Sequence, residues 1–192
     1  MIGLFFEVLP KDGRTDEYLE RAARLRTELA KNAGLRFIDR YRSRQRPGVI
    51  LSHQLWADEA SLIAWRENPA HRATQLAGRE QIFADYRIRV ATLGYQWQRG
   101  GAEPDGAIVL ARGIVAVSHD APLTLSMPGE GFASVYREHQ FITVADERTG
   151  WGPEPVSLES DPAVTAVRSF HVIRDYTMRE RTEAPQAHPP VA

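Results

Sequence analysis

Cysteine is absent from all 192 residues, which removes disulfides, thiolate metal sites and cysteine nucleophiles together. Excess charge is absent too. Lys and Arg number 24 against 25 Asp and Glu, a net charge of −1, so no global field holds nucleic acid or an anionic membrane. No run approaches the roughly 20 apolar residues of a membrane span. The opening MIGLFFEVLPKDG lacks the basic start of a signal peptide. A phosphate-binding glycine loop, H-E-x-x-H, an H-x-H pair and a G-x-S-x-G elbow are all missing. These absences point to a cytoplasmic protein with no nucleic acid, membrane, metal or nucleotide partner.

What is present is a globular composition, 43% hydrophobic and 26% charged, enough for one large domain or two small ones. Residues 2–9, IGLFFEVL, read as a strand that is apolar on both faces except at Glu7. Thr15 offers an N-cap, and Tyr18, Leu19, Ala22, Leu25 and Leu29 recur at helical spacing up to Asn32-Ala33-Gly34. LRFIDRYRS (35–43) and VILSHQLW (49–56) flank the turn Arg46-Pro47-Gly48 as two strands of a hairpin. Asp58 caps a short helix through Leu62 and Trp65, and Asn68-Pro69 starts another, expected to run to about Asp85. RIRVATLGYQW then returns to strand chemistry.

Strand, helix, strand, strand, helix, strand is the ferredoxin-like βαββαβ unit, an α+β fold complete by about residue 97. Its helices cover one face of the sheet. Apolar residues on both faces of the first and third strands therefore call for a partner sheet, from a second copy of the chain or from its second half. The expected organisation is a ferredoxin-like domain at 1–98, a linker at 99–106, a β-rich second half at 107–180 and a disordered tail at 181–192. That second half is either an insertion or a degenerate repeat. Aligning Arg89 with Arg168 sets RIRVATLGYQW beside AVRSFHVIRDY.

The chemistry-bearing residues cluster in the first half. Arg72 and Arg79, seven apart, fall on the stripe that holds Leu76, Ile82 and Phe83. There they either snorkel, pair with a carboxylate such as Glu7, or hold an oxygen-rich ligand. His53 shares a strand face with Leu51 and Leu55, and His71 lies beside Arg72. Either histidine is suited to moving a proton near neutral pH. Trp56 and Trp65 bracket the short helix, with Tyr41, Tyr86 and Asn68 near the expected helix–sheet gap. A buried indole N–H there needs a partner.

The residues from GLFFEVLPKDGRTDEYLERAARLR through LRFIDRYRS, PGVILSHQLWADEASLIAWREN and HRATQLAGREQIFADYRIRVA resemble the antibiotic biosynthesis monooxygenase domain over about residues 1–95. A further match to the family's tail falls at 172–185, VIRDYTMRERTEAP. The resemblance implies a dimeric α/β barrel, either a homodimer or an intrachain pseudo-dimer. It also implies, for some members, oxygenation of polycyclic phenols with dioxygen and no metal, flavin or other cofactor. By resemblance, Trp65 and Asn68 match the family's substrate-binding Trp and Asn, Arg89 its Arg and Tyr86 its Tyr. Members that degrade haem carry an Asn on the first strand and a His ten residues after the Trp. This chain has no Asn on that strand and has Gln75 at the second position, which disfavours haem degradation.

The expectation is therefore a cofactor-independent monooxygenase acting on an aromatic or quinol-type molecule. In it His53 or His71 takes a phenolic proton, Arg72, Arg79 or Arg89 steadies the oxyanion, and Trp56 and Trp65 form the apolar wall. The alternative is a non-catalytic small-molecule-binding or assembly module of the same fold.

Overall fold

In a computed structural model the structure describes residues 1–106, 112–123, 127–149 and 158–185. The first half follows the order β1 (Ile2–Pro10), α1 (Thr15–Arg24), α2 (Arg26–Ala30), β2 (Leu35–Ser43), β3 (Ile50–Trp56), α3 (Glu59–Glu67), α4 (Pro69–Ala77) and β4 (Phe83–Gln98). The second half adds β5 (Asp105–Gly106), β6 (Gly113–His119), β7 (Glu130–Ser134), β8 (Phe141–Asp146) and β9 (Val164–Thr177). The ferredoxin-like α+β reading holds, and the described part of the second half is strand-rich.

The chain divides into two compact units. The first comprises Met1–Ile38, Gly48–Val90 and Arg174–Ala192; the second comprises Asp39–Pro47 and Ala91–Ile173. Three of the four boundaries fall inside β2, β4 and β9, and the fourth lies in the turn between β2 and β3.

In the first unit the strands are ordered β4-β1-β3-β2. The antiparallel register of β1 on β3 sets Phe5 opposite His53, Phe6 opposite Ser52 and Val8 opposite Ile50. Residues opposite one another share a face, so β1 and β3 sort their side chains cleanly. Val8 and Ile50 lie under the helices with Tyr18, Ile82, Phe83 and Tyr86, while Phe6 and Ile88 pack against this cluster. Phe5, Glu7, Leu51 and His53 therefore point to the opposite face. Every residue of β3 is buried, as expected for a strand covered on both sides.

Three local expectations change. Thr15 is the first residue of α1 rather than its cap; Arg14 occupies the cap position without a side-chain bond. One long first helix becomes two, interrupted at Leu25. The helix expected to reach Asp85 stops at Ala77 and gives way to a π-helical turn, Gly78–Ile82. At Gly78 a Cβ would lie 2.6 Å from the Phe83 ring, so glycine is what allows that ring to tuck under the turn. The wider turn also shifts the apolar period. α4 buries none of its residues and leaves Leu76 52% exposed, whereas Gly78 and Ile82 are buried. Both starts read from sequence hold: Asp58 Oδ1 accepts from Ser61 N at 2.8 Å, and Asn68 Oδ1 from His71 N at 3.1 Å with Pro69 next.

In the second unit the order is β7-β8-β6-β9. β6 pairs antiparallel with both β8 and β9, and Ala116 sits between Val144 and Arg168. The second-unit part of β2 pairs with β7, setting Tyr41 opposite Ser134. Val115, Val117, Val164, Val167, Leu158 and Tyr95 form one core face. The segment FASVYREHQFITVA resolves into β7 and β8, turning at residues 135–140. There the Ser134 hydroxyl accepts from Tyr136 N and Arg137 N. Of AIVLARGIVAVS, residues 107–111 lie outside the described residues, as do 150–157 of the following loop and 186–192 of the tail. Residues 181–185 are ordered: Arg181 donates to the Tyr86 hydroxyl at 2.8 Å.

Candidate functional site

The sequence-nominated residues separate onto the two faces of the first unit's sheet. On the face away from the helices, His53 is 3% exposed and stacks on Phe5 at 4.5 Å between centroids, with Phe37 at 5.9 Å. Its Nδ1 lies 3.3 Å from the Leu4 carbonyl. A carbonyl only accepts, so that contact assigns Nδ1 a proton.

Arg89 extends from β4 onto the same face. Its Nη2 donates to Glu7 Oε1 at 2.6 Å, and its Cζ lies 5.7 Å from the Phe5 ring centroid. Both partners are buried, Arg89 at 3% and Glu7 at 6% exposed. The expected pairing of Glu7 with Arg72 or Arg79 is thus corrected. Strand alternation turns Glu7 away from the helices, where only a residue from the sheet's far side can meet it. Phe5, Glu7, His53 and Arg89 form one buried polar-aromatic cluster.

The remaining candidates lie on the helix side. Arg72 is exposed on α4, which corrects its expected place on a buried stripe. Arg79, in the π turn, donates to the Tyr86 hydroxyl and carries its guanidinium 5.9 Å from the Tyr86 ring centroid. With Arg181 this gives the Tyr86 oxygen two guanidinium donors. Sequence reading missed Arg181, which lies 95 positions from Tyr86 with no local signal. Trp56 is fully buried; its indole N–H donates to Gln54 Oε1 at 3.0 Å, and Gln54 Nε2 donates to Ser52 Oγ at 3.2 Å.

Trp65 stacks on His71 at 4.3 Å, and His71 Nδ1 lies 2.9 Å from the Trp65 carbonyl. An open groove of about 600 Å³ beside α3 is lined by Asn32, Asp58, Ser61, Trp65 and Asn68. Asp58 is held below its usual carboxylate range by the hydrogen bonds from Ser61. The Asn68 side-chain oxygen is already engaged as the cap of α4. Tyr41, expected near the same gap, belongs to the second unit. There it is 4% exposed, beside a buried Asp39. Burial and the Asp39 carboxylate push its phenol far above the usual value, so it stays protonated.

Residues 1–76 match the family model described as "Antibiotic biosynthesis monooxygenase". Over 223 aligned positions spanning 100% of each chain, the protein is 29% identical to "Jasmonate monooxygenase ABM" of Pyricularia oryzae. Among solved structures, it is similar to an "anthrone oxidase-like protein", 10% identical over 96% of each chain at a TM-score of 0.45. It is also similar to a Pseudomonas aeruginosa protein, 16% identical over 46% of this chain and 89% of that one, at a TM-score of 0.42. Among the described residues no helix is long and apolar enough to cross a membrane.

Proposed function

We propose, from the match of residues 1–76 to the antibiotic biosynthesis monooxygenase model, that the protein is a cofactor-independent monooxygenase of an aromatic or quinol-type small molecule. The observation that carries this reading is His53: a buried imidazole stacked on Phe5, with Nδ1 held by the Leu4 carbonyl and a buried guanidinium on the same face. Such a histidine is oriented as a base through Nε2. Phe5 and Phe37, rather than Trp56 and Trp65, are the aromatic walls beside it.

The chemistry is as follows. His53 removes the proton of a phenol or enolisable ring ketone, and the anion delocalises onto a ring carbon. That carbon passes electrons to dioxygen and forms the new C–O bond. A CH2 group becomes C=O and the second oxygen atom leaves as water, so the substrate supplies every electron. Arg89 steadies the developing oxyanion. Glu7 accepts from Arg89 Nη2, and guanidinium N–H donors are groups that stabilise an oxyanion.

Oxygen uptake with a panel of anthrones and hydroquinones tests the reading. The wild type should consume oxygen, and His53→Gln should lose about 10²–10⁴-fold, with His71→Gln within a few-fold of wild type. Loss in His71→Gln alone would move the reaction to the α3 groove. No uptake across the panel would overturn the reading.

A further inference from the structure

The two units share an ordering that the sequence only hinted at. Numbered along the chain within each unit, β1 to β4 lie in the order fourth-first-third-second, and β6 to β9 lie in the same order. Arg89 stands on the fourth strand of one set and Arg168 on the fourth strand of the other. Each faces away from its unit's core cluster: Arg89 from the cluster holding Tyr86 and Ile88, Arg168 from the one holding Val167.

Their counterparts differ. Arg89 meets the carboxylate of Glu7 on the first strand. Arg168 has Ala116 directly opposite on its first strand, a methyl group that neutralises nothing. Arg168 Nε is buried without a hydrogen-bond partner. The charged or titratable group that faces it is Tyr41, a phenol kept neutral by burial and by Asp39. Asp39 spends its own oxygens on Ser134 Oγ at 3.0 Å and Arg40 N at 2.8 Å, with Arg137 at 3.9 Å. Burial without a counter-ion pushes the Arg168 guanidinium below its ordinary value.

The strand order adds an apolar surround. Tyr41 and Arg168 are separated by β7, β8 and β6 in the hydrogen-bonded order. At about 4.8 Å per strand a flat sheet would hold their backbones roughly 19 Å apart. The Tyr41 phenol nonetheless lies within electrostatic reach of the Arg168 guanidinium. The register lines this face of the unit with Phe132, Ile142, Val144, Ile114 and Phe170, all buried. Arg168 nevertheless keeps accessible surface while its same-face neighbours Ala166 and Phe170 are 5% and 0% exposed. Of these three residues Arg168 is the one that solvent, and a dissolved anion, reaches.

We propose that the second unit is a degenerate copy of the first which kept the fourth-strand guanidinium and lost its carboxylate, so that Arg168 binds the carboxylate of a small organic acid from its accessible side. The site does not depend on His53 reacting. In the first unit the counter-ion is built into the chain; in the second the ligand brings it.

Titration with 1-naphthoate and its uncharged analogue 1-naphthamide, followed by calorimetry, tests this. The wild type should bind the naphthoate about tenfold or more tightly than the amide, as hydrogen bonds to a charged group allow. Arg168→Gln should erase that preference, Arg168→Lys should restore part of it, and His53→Gln should leave it unchanged. Equal binding of the two ligands by the wild type, no naphthoate binding, or an unchanged preference in Arg168→Gln would overturn the proposal. Should Arg168→Gln fail to fold, the wild-type preference and its reduction in Arg168→Lys decide the matter.

Discussion

Arg89 and Arg168 hold the same place in two strand orders and live under opposite electrostatic terms. Arg89 is buried with Glu7 at 2.6 Å, a counter-ion supplied by its own chain. Arg168 faces a neutral phenol and an alanine methyl. A buried charge is tolerated when paired, and a site that recognises an anion must leave some of that pairing undone. The first unit gives its arginine a carboxylate from its own chain, beside a histidine, and the second keeps its arginine for a partner.

The sharpest way to break this comparison is to remove each arginine in turn. Arg89→Met strands Glu7 in the interior and should cost about 3–5 kcal/mol in urea unfolding, with Glu7→Leu added in the same chain recovering most of it. Arg168→Met strands no carboxylate and should change stability by under about 1 kcal/mol in either direction. Equal losses would mean the two arginines do the same job. A smaller effect probes the helical cover that the first unit uses. Gly78→Ala drives a methyl into the Phe83 ring and should cost about 1–3 kcal/mol by the same assay. Asn68→Ala removes the cap of α4 and should cost about 1 kcal/mol.

The weakest effect distinguishes the second unit's buried histidine. His119 Nδ1 donates to the Ala121 carbonyl at 2.8 Å, Nε2 accepts from Thr143 Oγ1 at 3.1 Å, and the ring stacks on Phe141. Burial lowers its pKa from the ordinary 6.5, against the opposing pull of the Ala121 carbonyl. The unfolded chain therefore binds the extra proton first. His119 contributes stability above pH 6.5, and that contribution fades as the pH falls below it. Unfolding free energies from pH 7.5 to 5 should show the decline, and His119→Gln should flatten it.

Much of the fold was legible because its signals are local. Asp58 and Asn68-Pro69 announced their helices through capping chemistry, and the apolar residues on both faces of β1 and β3 called for a sheet covered on both sides. The π turn was hidden, because Gly78 acts through a ring five residues on and no periodicity anticipates a wider turn. His53 stood out as a titratable group on an apolar strand, and Arg89 was nominated through the family resemblance. Their union with Glu7 depended on strand order, which places residues 82 positions apart in contact. Arg168 was visible only as a weak echo of Arg89. Its meaning depended on Ala116 opposite, a residue that carries no signal of its own.

Crystals soaked in 4-bromo-1-naphthoate would test the central contrast most directly, because bromine marks its own position in an anomalous difference map. The account predicts a peak in the second unit, with the carboxylate on Arg168 and Glu7 still on Arg89. A naphthoate carboxylate that displaces Glu7 from Arg89, with nothing bound at Arg168, would contradict it.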